Sequence, residues 1–104
     1  MSSMITDQAP IRFSDTLEDA YEVVVICGGV AGVATASFLA TQGVRVLVCE
    51  KGRIAGEQSS RNWGWIRQQG RDSAELPVVM ESNRIWRSLA AETGEADLTF
   101  TECG

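Results

Sequence analysis

The residue types in this chain that can do chemistry together are three glycines and one carboxylate. Gly28, Gly29 and Gly32 follow a run of β-branched residues, and Glu50 closes the next apolar run. Glycines let backbone N–H groups approach a pyrophosphate at the N-terminus of a helix, and a carboxylate about 20 residues later hydrogen-bonds ribose hydroxyls. This order predicts a site for the adenosine diphosphate half of a dinucleotide. A buried βαβ unit that binds nothing is the alternative.

The glycine fingerprint G-x-G-x-x-G is present with one departure. Gly29 and Gly32 occupy its second and third glycine positions, and Cys27 stands at the first. The first glycine makes a tight turn, the second lets phosphate approach, and the third lets the helix pack closely on the strand. The register that begins at Gly28 places valines at both later positions, so it fits worse. We expect the Cβ of Cys27 to strain the turn if the backbone there has a positive φ.

The apolar pattern predicts the elements that position these residues. A β-branched run predicts a strand over residues 21–27, and small residues predict a helix over residues 32–41. A near-continuous apolar run predicts a second, central strand over residues 44–49. Gly43 is placed to end the helix. We therefore predict an α/β fold, a Rossmann-like βαβ unit with parallel strands and a right-handed crossover.

A long glycine-containing loop follows Glu50 and covers residues 51–72. Loops longer than about 12–15 residues are usually functional or disordered. Trp63 and Trp65 favour an ordered loop that covers a ligand. The alternative is that both are core aromatics beneath the loop.

A second helix is predicted after this loop and runs to about Thr93. It begins either with Ser73 as its cap or with Pro77 as its first residue. Residues 98–103 alternate in polarity and predict a strand. The apolar face of the helix comprises Leu76, Val79, Met80, Trp86, Leu89 and Ala90.

Size, composition and charge restrict the class of protein. The 104 residues have room for one small domain, and a hydrophobic content of 44% is typical of a globular chain. The net charge of −5 argues against a nucleic-acid partner, which needs a basic face. No apolar run is long enough for a membrane span. Residues 1–20 form a polar N-terminal arm that lacks the apolar segment of a secretory signal.

Cysteine usage indicates the compartment. The three cysteines are an odd number, and Cys27 and Cys49 fall on neighbouring elements that we expect to be buried. Free thiols of this kind are typical of a reducing compartment, so we predict a cytoplasmic location. Histidine is absent and no cluster of residues has metal-ligand spacing, so the sequence predicts neither a His-based triad nor a metal site.

A longer pattern of residues, which extends beyond the glycine fingerprint, indicates a particular protein family. Residues 23–50, followed by Lys51-Gly52 and by Ser-Ser-Arg-Asn-Trp-Gly-Trp at residues 59–65, resemble the D-amino-acid oxidase and glycine oxidase (DAO) class of FAD-dependent oxidoreductases. The resemblance covers roughly residues 21–104. It implies FAD as cofactor and a small-molecule amine or amino acid as substrate. Hydride transfer to the flavin would give an imine that hydrolyses, and the flavin would carry that chemistry.

The resemblance also implies a domain organisation and a set of site residues. Residues 21–104 would be the N-terminal part of an FAD-binding domain, incomplete and ending at the start of a substrate-domain strand. Such a chain would be inactive alone and would hold no catalytic residue. The glycine turn would contact the pyrophosphate, Glu50 with Lys51 the ribose, and residues 59–65 the cofactor as far as the flavin ring. The implied cofactor-binding residues are Gly28, Gly29, Val30, Ala31, Gly32, Glu50, Lys51, Ser59, Ser60, Arg61, Asn62, Trp63, Gly64 and Trp65.

Two other functions are compatible with the sequence. The first is an NAD(P)-binding Rossmann domain, although such a domain normally continues after the acid with another helix and a third parallel strand. The second is a non-catalytic truncated product that binds a partner or nothing. Retention of a flavin would distinguish the first alternative from an FAD-binding unit.

Overall fold

The computed structural model describes residues 4–94. The chain divides into two compact units, of which the first ends at Gly64 and the second begins at Trp65. The strand predicted over residues 98–103 lies outside the described residues. Within residues 4–94, no helix combines the length and the apolar character that crossing a bilayer requires.

The first unit contains a parallel βαβ arrangement. Strand β1 covers Val23–Ile26, helix α1 covers Val30–Thr41, and strand β2 covers Val46–Cys49. The two strands pair in parallel, from Val23 opposite Val46 to Ile26 opposite Cys49. The α/β prediction is confirmed. Both strands are shorter than predicted, and the helix begins two residues earlier, directly after the glycine turn.

The composition of α1 and its ends explain its extent. Its small residues allow the helix to lie close to the sheet, and Ala36 is the buried apolar residue of the described part of the chain, with 8% of its surface exposed. The helix stops at Gly43, which has a φ of +82°. Its N–H donates to the carbonyl of Ala40 at 3.0 Å, and the N–H of Gln42 donates to that of Leu39 at 3.0 Å. Gly43 therefore ends the helix as predicted, because glycine enters the left-handed region without steric cost.

The sheet is covered on one face in the first unit. Val23 and Val25 are half-buried, whereas Val24 and Ile26 expose 52% and 85% of their surface. This alternation is typical of a strand with one packed face. The sequence predicts a central position for β2, whereas in the described residues β2 pairs with β1 alone. Its first three residues are half-buried and Cys49 is exposed.

In the described part of the second unit, residues 65–94, the chain forms the helix α2, which covers Leu76–Thr93. Neither predicted start is correct, since Leu76 precedes Pro77 in the helix and Ser73 lies in the turn before it. That turn is held by Asp72, whose Oδ1 accepts the N–H of Ala74 at 2.8 Å.

A polar side chain is the most buried one on α2. Asn83 exposes 7% of its surface, and its Nδ2 donates to Oε1 of Gln68 at 3.0 Å, which joins the helix to the preceding loop. Met80, predicted on the apolar face of α2, is 56% exposed. The prediction of a continuous apolar face is therefore wrong at Met80, and it missed Asn83.

Candidate functional site

An open cleft lies in the first unit where both strands end and α1 begins. Its volume is about 470 Å³, within the range of roughly 300–1,000 Å³ of small-molecule sites. In parallel α/β sheets, ligands bind outside the carboxyl ends of the strands. The cleft is lined by Ile26, Cys27, Gly29, Val30, Ala31, Cys49, Glu50, Lys51, Gly56, Glu57, Gln58 and Ser59.

The N-terminus of α1 lies at this cleft, and its first residues, Val30 and Ala31, line it together with Gly29. Gly29 is the N-cap residue, and it has no side chain that could accept a hydrogen bond from the first amides of the helix. The N–H of Val30 instead donates to Oγ of Ser59 at 2.8 Å. Ser59 belongs to a 3₁₀ helix, Gln58–Ser60, in the loop after β2. A hydroxyl 29 residues away in sequence thus serves as the acceptor that a helix N-terminus requires.

Two glycines are buried behind the turn and have no room for a side chain. A Cβ on Gly32 would lie 2.1 Å from the carbonyl oxygen of Cys27. A Cβ on Gly28 would lie 2.7 Å from Cδ1 of Ile54 and 2.9 Å from Cβ of Glu50. Gly32 therefore lets α1 pack on the end of β1, the role expected of the third glycine. Gly28 lets the end of β2 approach the turn.

Gly29 borders the cleft itself. A Cβ there would lie 3.1 Å from Oγ of Ser59 and 3.6 Å from Sγ of Cys27. The absence of a side chain at Gly29 therefore leaves the amides at the start of α1 accessible from the cleft.

The carboxylate of Glu50 connects the glycine turn to the loop after β2. Its Oε2 accepts the N–H of Gly28 at 2.8 Å, and its Oε1 accepts the N–H of Gly52 at 2.8 Å. These hydrogen bonds, first that from Gly52 and then that from Gly28, lower the pKa of Glu50, with a smaller contribution from the charge of Lys51. The side chain is half-buried and ionised at neutral pH.

The hydrogen bonding between β1 and β2 continues one residue beyond β1, to Cys27 in the turn. Its N–H donates to the carbonyl of Cys49 at 3.0 Å, and its φ is +157°, at the edge of the region that favours glycine. The cysteines do lie at the ends of neighbouring strands, since Cys27 directly follows β1 and Cys49 is the last residue of β2. The prediction that they are buried is wrong, because Cys27 and Cys49 are both exposed and free.

The predicted site residues separate into four groups. Gly28 and Gly32 support the turn from behind. Trp65 belongs to the second unit. Of the remainder, Ser60, Arg61, Asn62, Trp63 and Gly64 do not line the cleft, whereas Gly29, Val30, Ala31, Glu50, Lys51 and Ser59 do.

The segment after Ser60 forms a turn that exposes an aromatic side chain. Oδ1 of Asn62 accepts the N–H of Gly64 at 3.0 Å, and Trp63 has a φ of +62°. The indole of Trp63 is 90% exposed and Trp65 is 65% exposed. The alternative that they are core aromatics is therefore wrong for the part of the chain that the structure describes.

Residues 56–58 of the cleft wall were not predicted from the sequence. The loop returns to the turn because the N–H of Ala55 donates to the carbonyl of Gly28 at 2.8 Å. A Cβ on Gly56 would lie 2.9 Å from the carbonyl oxygen of Arg53, so Gly56 is a close-approach position. Gly56 was the one residue of this segment whose type indicated a close approach of the loop.

An acidic side chain, Glu57, also lines the cleft. Its Oε2 lies 3.8 Å from Nη1 of Arg61, and both side chains are largely exposed. Arg61 also donates to the carbonyl of Gly56 at 3.4 Å. The guanidinium therefore holds the loop and offsets part of the negative charge at the cleft wall. Among residues 4–94, no group of His, Cys, Asp and Glu side chains is arranged to hold a metal ion.

Comparison with known proteins identifies a family. The model of the DAO family, described as FAD dependent oxidoreductase, matches residues 22–104, which is more than half of the chain. The search of curated proteins and the search of solved structures gave no match.

Proposed function

Because the chain belongs to the DAO family of FAD-dependent oxidoreductases, we propose that the cleft of the first unit binds the adenosine diphosphate half of FAD. The observation that carries the proposal is the position of the α1 N-terminus. The first residues of α1 line a cleft that Glu50, at the end of the adjacent strand, also lines. This combination suits an anion next to a sugar.

The diphosphate would lie against the start of α1. The amides of Gly29, Val30 and Ala31 border the cleft, and the helix dipole favours negative charge there. Ser59 fits the same role, because a hydroxyl has one proton and two lone pairs. Its oxygen accepts the N–H of Val30, and its proton remains available for a phosphate oxygen.

The ribose would lie at Glu50. Each carboxylate oxygen accepts one backbone N–H, and each retains capacity for a further donor because an ionised carboxylate offers about four lone-pair sites. Two ribose hydroxyls can therefore donate to Glu50 without breaking the bonds to the turn. Lys51, which lines the cleft beside it, adds positive charge close to the diphosphate.

The bound flavin would supply the acceptor for a hydride taken from an amine or amino acid. The described residues hold the nucleotide and move no proton in that step. The exposed Trp63, together with Ser60, Arg61, Asn62, Gly64 and Trp65, is assigned to the path toward the flavin ring on the strength of the family pattern.

A titration tests the proposal without measuring catalysis. FAD, ADP, riboflavin and NAD⁺ are added to the chain, and binding is followed by flavin fluorescence or by calorimetry. We expect FAD and ADP to bind and riboflavin, which lacks the diphosphate, not to bind. NAD⁺ carries the same adenosine diphosphate half, so binding of NAD⁺ more tightly than FAD would favour the nicotinamide alternative, and no binding of ADP would contradict the proposal.

The location of the protein is inferred from its thiols. Cys27 and Cys49 are both free and exposed. Exposed thiols persist in reducing compartments, and we therefore propose a cytoplasmic location.

A further inference from the structure

Two thiols open into the nucleotide cleft from adjacent strand ends. Cys27 follows β1 and Cys49 is the last residue of β2, and the backbone hydrogen bond between them, 3.0 Å from N to O, fixes their proximity. Both are free, both are exposed, and both line the same cleft. Nothing in the proposed binding of FAD uses either sulfur.

The sulfur of Cys27 lies beside the amides that the diphosphate needs. The position of a Cβ on Gly29 is 3.6 Å from Sγ of Cys27 and 3.1 Å from Oγ of Ser59. A group attached to this sulfur would therefore stand in front of the start of α1. A group attached to Cys49 would stand beside Glu50, its neighbour in the chain and in the cleft wall.

We propose that Cys27 and Cys49 form a modification site for low-molecular-weight disulfides, and that the adduct and the nucleotide exclude each other. The inference rests on the proposed function, since it requires the nucleotide to occupy this cleft. The volume of about 470 Å³ suits one ligand of small-molecule size. A mixed disulfide formed inside the cleft occupies the space of the diphosphate or of the ribose.

The chemistry is a thiol–disulfide exchange. The cysteine gives up its proton, and its thiolate attacks one sulfur of the small disulfide. A new S–S bond forms to that sulfur while the old S–S bond breaks, and the electron pair leaves on the second sulfur, which takes up a proton. The cysteine is oxidised and half of the small disulfide is reduced. A dithiol reverses the reaction, so nucleotide binding becomes sensitive to the redox state of the surroundings.

The experiment measures labelling of the full chain carrying Cys103→Ser, so that the two cleft thiols are the remaining cysteines. The probe is 2,2′-dithiodipyridine, an uncharged disulfide that releases a coloured product. With FAD or ADP at about 100 times its Kd, we expect labelling to slow by about 100-fold, because only the free fraction of protein reacts. Riboflavin at the same concentration should give no protection. Cys27→Ser and Cys49→Ser assign the rates, and peptide mass mapping assigns them if either variant does not fold.

The reciprocal measurement uses the labelled protein. We expect it to lose FAD binding and to regain it after treatment with dithiothreitol. FAD binding by the unlabelled protein, combined with equal labelling rates with and without FAD, would overturn the inference alone. An unchanged Kd for FAD after labelling would also overturn it alone. Failure of the unlabelled chain to bind FAD or ADP would overturn the proposed function and this inference with it.

Discussion

The carboxylate of Glu50 at the end of β2 accepts the backbone N–H of Gly28 in the turn after β1, at 2.8 Å. Its other oxygen accepts the N–H of Gly52 at the same distance. The side chain proposed to bind ribose therefore also holds the turn proposed to bind diphosphate. Substitution of Glu50 should affect the geometry of the turn as well as the contact to the sugar.

The first prediction concerns the pH dependence of stability. The amides of Gly52 and Gly28 lower the pKa of Glu50 in the folded chain below its ordinary value. The stability contributed by the ionised Glu50 is then fully present above the ordinary pKa and is lost as the pH falls through the lowered one. Urea midpoints measured from neutral to acidic pH should show a gap between wild type and Glu50→Gln that closes in this acidic window. A gap independent of pH would contradict the prediction.

The second prediction concerns the packing of α1. Gly32→Ala would place a Cβ 2.1 Å from a backbone oxygen of Cys27, and neither backbone segment can yield locally. We expect a loss of at least about 3 kcal/mol in the free energy of unfolding, together with loss of FAD binding. Gly52→Ala is the matched control, because its Cβ would meet only Oε1 of Glu50 at 3.7 Å. Equal urea midpoints for the two variants would show that α1 does not pack here as described.

The third prediction concerns the departure from the glycine fingerprint. Cys27 has a φ of +157° and lines the cleft, so Cys27→Gly should relax the turn and widen the site. We expect tighter FAD binding from the wider site. The relaxed turn should raise the free energy of unfolding by about 1 kcal/mol, because the strain is present whether or not FAD is bound. Cys27→Ala keeps the Cβ and removes the sulfur, so it separates the two causes. Equal Kd values and equal urea midpoints for all three proteins would mean that Cys27 neither narrows the site nor strains the turn.

The elements around the glycine turn were predictable because local rules determine them. β-branched residues, small helical residues and glycines at fixed spacing indicate strand, helix and turn within a few residues. The parallel pairing of Val23 with Val46 follows from one helical connection between two short strands. Gly32 was predictable for the same reason, since only the fingerprint spacing places it against β1.

The exposure of residues and the cleft wall were not predictable in the same way. Burial depends on what covers each face, so the pattern of β2 did not indicate that Cys49 is exposed. The contact of Ser59 with Val30 joins residues 29 positions apart through an irregular loop, and no periodicity encodes such a contact. Nothing in the sequence indicated that Glu57 lines the cleft, because a single charged residue in a loop is typical of an ordinary solvated segment.

The fourth prediction concerns the hydroxyl at the start of α1. Ser59→Ala leaves the N–H of Val30 without its acceptor, which should lower the free energy of unfolding by about 1 kcal/mol. FAD affinity should fall by about tenfold or more, because the hydroxyl also donates to a charged phosphate. Thr41→Ala is the control, since its Oγ1 donates to the carbonyl of Phe38 at 2.7 Å at the other end of α1 and lies outside the cleft wall. Calorimetric titrations of both variants with FAD provide the comparison, and similar losses in the two would contradict the assignment of Ser59.

The fifth prediction concerns the charge at the cleft wall. Glu57 lines the cleft with a negative charge that Arg61, 3.8 Å away, offsets only in part because both side chains are largely exposed. A diphosphate bound at the start of α1 would be repelled by this carboxylate. Glu57→Gln should therefore tighten FAD binding by about twofold to fivefold, a modest change because exposed charges are screened. Arg61→Gln should weaken binding by a similar factor, since it leaves Glu57 without its partner.

Salt dependence distinguishes this charge effect from a change in shape. The difference in Kd between wild type and Glu57→Gln should shrink as sodium chloride is raised from about 0.01 M to 1 M, because the screening length falls from about 30 Å to about 3 Å. Adenosine, which carries the ribose and no diphosphate, should show no difference between the two proteins at any salt concentration. A gain in FAD affinity that persists at high salt would mean that Glu57 restricts the cleft sterically. Weaker binding of FAD by Glu57→Gln would contradict the proposal that the diphosphate lies near this carboxylate.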